Sequence, residues 1–145
     1  MATLTTTIVE EINLNNKDRG SKNVKITPNI DQVLHRIYEV DTVYESTLAS
    51  FLNVGDSVQN INEGDLKYLR ITNLGTSTVR LNILGTGEEY FVDLPAKGSF
   101  ILNNDTMDAN DQALQTPTMN TIASVRAIAL VANSDVEILA AGSTS

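Results

Sequence analysis

Few residues in this chain have the type and spacing that chemistry needs. There is one histidine, His35, and no cysteine, which removes a thiolate metal site, a cysteine nucleophile and a disulfide framework together. Metal sites of the cupin type use two or three histidines with a carboxylate, and one histidine cannot supply that set. A serine triad would also have to use His35, and no G-x-S-x-G nucleophile elbow is present to meet it. His35 is therefore expected on a strand face or paired with a local carbonyl. Glu88 and Glu89 are adjacent, and neighbouring residues on a strand face opposite sides, so they do not converge for acid–base work. Asp105, Asp108, Asn110 and Asp111 offer oxygen ligands of the kind calcium accepts, but their spacing departs from the D-x-D-x-D-G order of an EF-hand loop and equally suits a polar turn. GTG at 85–87 lacks the further glycines, the lysine and the following helix of a phosphate cradle, and reads as a turn. The expectation is a protein that is not an enzyme and has no cofactor and no metal, the 105–111 loop being the one calcium candidate.

The elements that carry these residues belong to one domain, since 145 residues suffice to bury roughly two-thirds of the unfolded surface without staples. The net charge of −8, from 10 basic and 18 acidic residues, argues against nucleic acid as a partner, because a phosphate backbone demands a stripe of Lys and Arg. After residue 100 the single basic residue is Arg126. No basic stretch followed by an apolar core opens the chain, and no run approaches the roughly 20 apolar residues that cross a bilayer, so a soluble chain with no export signal and no membrane partner is expected. A sugar-binding module is the alternative reading, although tryptophan, the preferred residue of a flat sugar platform, is absent.

Alternation of apolar and polar residues recurs in short runs. TLTTTIVEEINL reads as a strand or arm, and NNKDRGSKN as a turn. Residues 1–22 are assigned to this N-terminal arm or edge segment, and 23–145 to the main domain. NVKITP reads as a short strand stopped by Pro28, since proline cannot donate to a ladder. The ambiguous stretch 30–54 is read as two strands, near 34–40 and 47–54, because HRIYEVDTVY is rich in β-branched and aromatic residues. LKYLRITNLGTSTVRLNI, residues 66–83, has the clearest pattern. Leu69 and Ile71 alternate with Tyr68, Arg70 and Thr72, and Val79, Leu81 and Ile83 alternate with Arg80 and Asn82. The run predicts two strands folded into a hairpin over a turn containing Gly75, with one apolar and one wet face. YFVDL, SFIL, TIASVRAIALVA and DVEILAAG supply further strands, with PAKG as a bend. Eight or so short strands without a convincing helix predict an all-β fold, a single antiparallel β-sandwich with a jelly-roll-like arrangement. Residues 103–120 form an unusually long connection.

DLKYLRITNLGTSTVRLNI, GEEYFVDLPAKGSFILNN and MDAN together resemble a group of small virion structural proteins of tailed bacteriophages, especially marine and cyanobacterial phages. The matching positions are Tyr68, Arg70, Ile71, Asn73, Phe91, Leu94, Gly98, Ser99 and Phe100. The likeness extends over about residues 65–140, with ASVRAIAL and DVEILAAG fitting its closing strands. It implies a structural role in the particle, with a capsid decoration or cement protein favoured over a tail, neck or fibre component. It further implies the major capsid protein or other virion proteins as partners, a homo-oligomer (a trimer among the options), location on the virion after assembly in the host cytoplasm, and no catalytic residues. The set expected to build the fold is Tyr68, Leu69, Arg70, Ile71, Asn73, Val79, Leu81, Ile83, Phe91, Leu94 and Phe100, with Tyr68, Arg70 and Arg80 left for the outer faces.

Overall fold

The computed structural model describes residues 2–51, 61–62, 64–85, 89–103 and 122–144. These residues form strands only, joined by turns. β5 (Gln32–Val40), β7 (Leu66–Asn73), β10 (Ser99–Leu102) and β12 (Ser134–Gly142) make one antiparallel sheet in the order β10-β7-β12-β5. β6 (Ser46–Ser50), β8 (Val79–Gly85), β9 (Glu89–Leu94) and β11 (Ile122–Ala129) make a second in the order β6-β11-β8-β9. Among these eight, successive strands alternate between the two sheets, except for β8 and β9, which pair directly. This wrapping is the order of a jelly roll, as the strand rhythm predicts.

The core lies between the sheets. Leu69, Ile71, Val136 and Ile138 of the first sheet face Val79, Leu81, Ile83 and Val125 of the second, and all eight are fully buried. Phe51, Ile61, Leu66 and Ile122 extend the same cluster. Alternating side chains make this possible, because each strand then presents one apolar row to the interior. Phe100, Tyr90 and Val92 pack at its margin, with Tyr90 and Phe100 edge to face at 6.5 Å.

The expected hairpin at residues 66–83 is corrected by this pairing. β7 bonds to β10 and β12, β8 bonds to β9 and β11, and the two strands lie in different sheets. LGTST is therefore an arch over the core. The alternation is the same either way, but an arch sets Leu69 and Ile71 opposite Val79, Leu81 and Ile83, where a hairpin would place them side by side. Asn73 holds the arch. Its buried amide nitrogen donates to the carbonyls of Ser77 at 2.7 Å, Leu94 at 3.1 Å and Pro95 at 3.1 Å. Its oxygen accepts from the backbone N–H of Gly75 at 3.1 Å and the hydroxyl of Ser134 at 2.7 Å. One side chain thus ties together the arch, the β9–β10 bend and the β11–β12 turn. Gly75 is required there by proximity, since a Cβ would collide with the Ser134 hydroxyl oxygen.

The bend at Pro95–Gly98 contains Lys97 at φ 65°, a left-handed conformation that a non-glycine residue adopts only when held. Its N–H donates to the Asn73 carbonyl at 3.0 Å, and its Nζ donates to the Leu74 carbonyl.

Among the described residues β1 (Ala2–Glu10) and β4 (Ser21–Ile30) pair only with each other, and the minute strands β2 (Asn13–Leu14) and β3 (Lys17–Asp18) close their far end. The boundary at residue 22 accordingly falls inside β4. Pro28 does not end the strand as expected. It sits in a bulge, where the register slips between Ala2↔Ile30 and Leu4↔Thr27, and Asn29 beside it takes φ 61°. The expected strands near 34–40 and 47–54 correspond to β5 and β6, with residues 52–54 outside the described part.

Replacing Asn73 by Ala strands three carbonyls, those of Ser77 and Leu94 buried, and two donors. Asn73→Ala should lower the unfolding free energy by about 2–4 kcal/mol in urea melts. Asn73→Asp, which aims a carboxylate at the same carbonyls, should cost more at pH 7.

Candidate interaction surface

On the outer face of the first sheet, polar side chains link all four strands. Leu139 stands opposite both Arg70 and His35, and Glu137 opposite both Thr72 and Ile37. Arg70 and His35 therefore reach Glu137 diagonally. Arg70 Nη2 donates to Glu137 Oε1 at 2.5 Å, and His35 Nε2 lies 3.1 Å from Glu137 Oε2. Arg70 Nη1 also donates to the Thr72 hydroxyl at 3.1 Å, which in turn lies 2.8 Å from the Ser99 hydroxyl. The hydrogen bond with His35, foremost, and those with Arg70 hold the Glu137 carboxyl below its ordinary value of 4.5, against a burial effect that raises it. The chain of contacts satisfies its own members. It cross-braces the sheet and has no nucleophile paired to a base.

The second sheet is braced similarly. Arg80 clasps Asp93 through Nε at 2.7 Å and Nη2 at 2.9 Å, which holds the Asp93 carboxyl below its ordinary value and raises Arg80. Asn82 Nδ2 donates to Glu89 Oε2 at 2.9 Å. Glu89 is thereby engaged across the strand pair, while Glu88 and the Thr86–Gly87 part of the GTG turn lie outside the described residues. So do Asp105, Asp108, Asn110 and Asp111. Among the described residues no three His, Cys, Asp or Glu side chains converge to hold a metal ion.

The chain matches no protein-family model, no curated protein sequence and no solved structure. The candidate site is therefore built on surface chemistry alone, and the β1–β4 ribbon is its most distinctive part. Asn15 and Asn16, at φ 53° and 60°, occupy the two central positions of a two-residue turn that joins β2 to β3. Both angles positive is the signature of the hairpin turn whose twist matches the strands, and asparagine tolerates it. Below that turn the ribbon bends at Gly20, where a Cβ would collide with the Glu10 carbonyl oxygen and whose N–H donates to Asp18 Oδ1 at 2.8 Å.

The ribbon has two unlike ends. At its base Ile30 and Leu4 pack on Tyr68, Leu139 and Ala141, on the outer face of the first sheet, and Lys25 Nζ donates to the Asn103 carbonyl at 2.7 Å. This contact explains why Tyr68, which alternation assigns to the outer face, is buried. Farther out, Val9, Val24 and Ile26 share one face of the ribbon and are exposed, as are Ile12 and Leu14 near its tip. This apolar row on a two-stranded ribbon is uncovered by any of the described residues.

Of the residues expected to build the fold, Leu69, Ile71, Val79, Leu81, Ile83 and Leu94 line the core, Asn73 is the buried junction, and Phe100 is half-buried against the core. Arg70 belongs to the outer brace. Phe91 is 54% exposed, because β9 turns Tyr90, Val92 and Leu94 inward and Phe91 outward. His35 is on a strand face, paired with a carboxylate. Residue order does not single out Glu137 as the centre of a brace, nor the outer row of the ribbon. Val9, Val24 and Ile26 show the alternation of any strand, and their exposure follows from how far the ribbon extends.

The lowered Glu137 carboxyl contributes stability that is present above about pH 4.5 and is lost as pH falls through its lower folded value. Glu137→Gln should therefore flatten part of the acid limb of a stability–pH profile measured by urea melts between about pH 5 and pH 2. An unchanged limb would mean that the brace does not couple to folding.

Proposed function

We propose that this chain is a structural protein of a bacteriophage particle, placed on the outer surface of the head as a decoration or cement protein. The observation that carries this reading is the ribbon, which extends an uncovered apolar row beyond a body whose own polar groups are largely paired. Such an element buries its surface only in an assembly. The jelly roll is a shape on which capsid proteins, lectins and cupins are all built, so the fold by itself does not choose among them. The resemblance to small phage virion proteins favours the first. Asn73, Leu94 and Gly98, three positions that carry it, meet at the junction over the core, so the shared pattern reads as the grammar of this scaffold.

In this role the protein acts without catalysis. It stabilises the shell by mass action, binding the assembled form in preference to the free subunits, and gains affinity from surface buried at junctions between subunits. The major capsid protein is the proposed partner, and the head exterior the proposed location.

Quantitative mass spectrometry of purified particles of the encoding phage should find the protein in high copy, in proportion to the major capsid protein. About a dozen copies or fewer, the number set by a single symmetry axis of the particle, would sink decoration of the head and move the protein to the neck or tail. Absence from the particle, together with binding of the isolated chain to a glycan array, would replace the proposal with a sugar-binding module.

A further inference from the structure

We propose that the β1–β4 ribbon docks on a second copy of this chain, adding β4 to the open edge of that copy's β5. The ribbon and the body carry opposite charge. Residues 1–30 hold four of the ten basic residues but three of the eighteen acidic ones, giving +1, while residues 31–145 carry −9. Lys17, Arg19 and Lys22 lie along the distal ribbon. β5 lies in the acidic part, between Asp31 and Asp41, with Glu39 and Arg36 within it.

β5 has the form of an acceptor. It is nine residues long, it pairs with β12 alone, and among the described residues no strand occupies its other side. Its outward row carries two exposed apolar side chains, Val33 at 62% and Ile37 at 59%, alternating with His35 and Glu39. A long edge with an apolar row is a template for strand addition. β4 has a matching row, Val24 at 50% and Ile26 at 64% exposed, followed by Lys22. Among the described residues its own second edge is equally open. Pro28 and the bulge at Asn29 confine the usable part to Ser21–Thr27.

The side chains select the register. With the strands antiparallel, setting Val24 opposite Ile37 brings Lys22 opposite Glu39 and Ile26 opposite His35, and on the other face Lys25 opposite Arg36. A shift of two residues one way sets Lys22 on Ile37. A shift the other way sets Val24 on Glu39 and Pro28 on His35, and carries Lys22 past the end of β5 at Val40. Both shifts lose the Lys22–Glu39 pair, while every register keeps one apolar pair, Val24–Ile37 here and Ile26–Val33 or Ile26–Ile37 in the shifts. On one face the contact joins the Val24–Ile37 apolar pair and the Lys22–Glu39 charge pair, which gives orientation against the Lys25–Arg36 opposition on the other face. It concerns the free chain in solution and holds or fails independently of the virion reading.

The absence of native cysteine makes a direct test available. Val24→Cys and Ile37→Cys are prepared as separate variants, one carrying a mass tag, and mixed under mild oxidation. A disulfide-linked heterodimer should form, well above the yield of Val24→Cys mixed with Phe91→Cys, which probes a different exposed edge. Lys22→Glu should abolish the cross-link and Glu39→Lys in the partner should restore it. Circular dichroism melts should be unchanged in every variant, because the altered side chains are exposed. Sedimentation velocity of the unmodified chain should show mass rising with concentration, and Lys22→Glu should suppress the rise. The inference is overturned if the chain stays monomeric at roughly 100 µM, where a micromolar contact would be largely formed, or if the Phe91→Cys pair cross-links as well as the Ile37→Cys pair.

Discussion

The buried amide of Asn73 is the constraint on which the upper end of this jelly roll depends. A sandwich needs its chain to cross from sheet to sheet repeatedly, and each crossing leaves backbone carbonyls and N–H groups without ladder partners. Three such crossings, at the arch after β7, the bend after β9 and the turn after β11, converge on one point. Asn73 carries both donors and an acceptor there, and all its bonding capacity is used. A purely apolar residue would leave the carbonyls unpaired, and a serine would reach fewer of them. Ser77 extends the same weld, its hydroxyl oxygen accepting from the N–H groups of Val131 and Ala132.

With the crossings fixed, the two outer faces become free for other uses. The Arg70–Glu137–His35 brace and the Arg80–Asp93 clasp commit most of the charged groups nearby to cross-strand pairing. Partly exposed pairs of this kind contribute little each to stability, but they set register by penalising slips that would separate them. The uncovered apolar rows are concentrated in the ribbon and along β5. The division is therefore between a body whose outer charges are largely paired across strands and a ribbon whose outer apolar row is uncovered by any of the described residues. That division, more than any single residue, favours an assembly role.

Some of this was legible from residue order. The inward row of β7 and β8 follows from alternation, and so does the outward place of Arg70 and Arg80. Phe91 and Leu94, three positions apart on one strand, must face opposite ways, so the exposure of Phe91 was implicit in the same rule. The pairing partners of β7 and β8 were not legible. LGTST carries glycine and polar residues that serve a hairpin loop and an arch equally well, and the interactions that decide between them reach to Leu94, Pro95 and Ser134, roughly 20 to 60 residues away in the chain. Alternation likewise puts Tyr68 on the outer face, yet its burial depends on Ile30 and Leu4 arriving from the ribbon.

Residue order alone settles the strand content, the apolar rows, the single histidine and the lack of cysteine, because side-chain period and residue type are local properties that survive any choice of partner. Packing in three dimensions chose which rows meet, which outer residues are covered, and that the N-terminal ribbon projects with its apolar face open. Those outcomes depend on contacts between residues far apart in the chain, where a two-residue period repeats identically in every strand and cannot say which strand lies next to which.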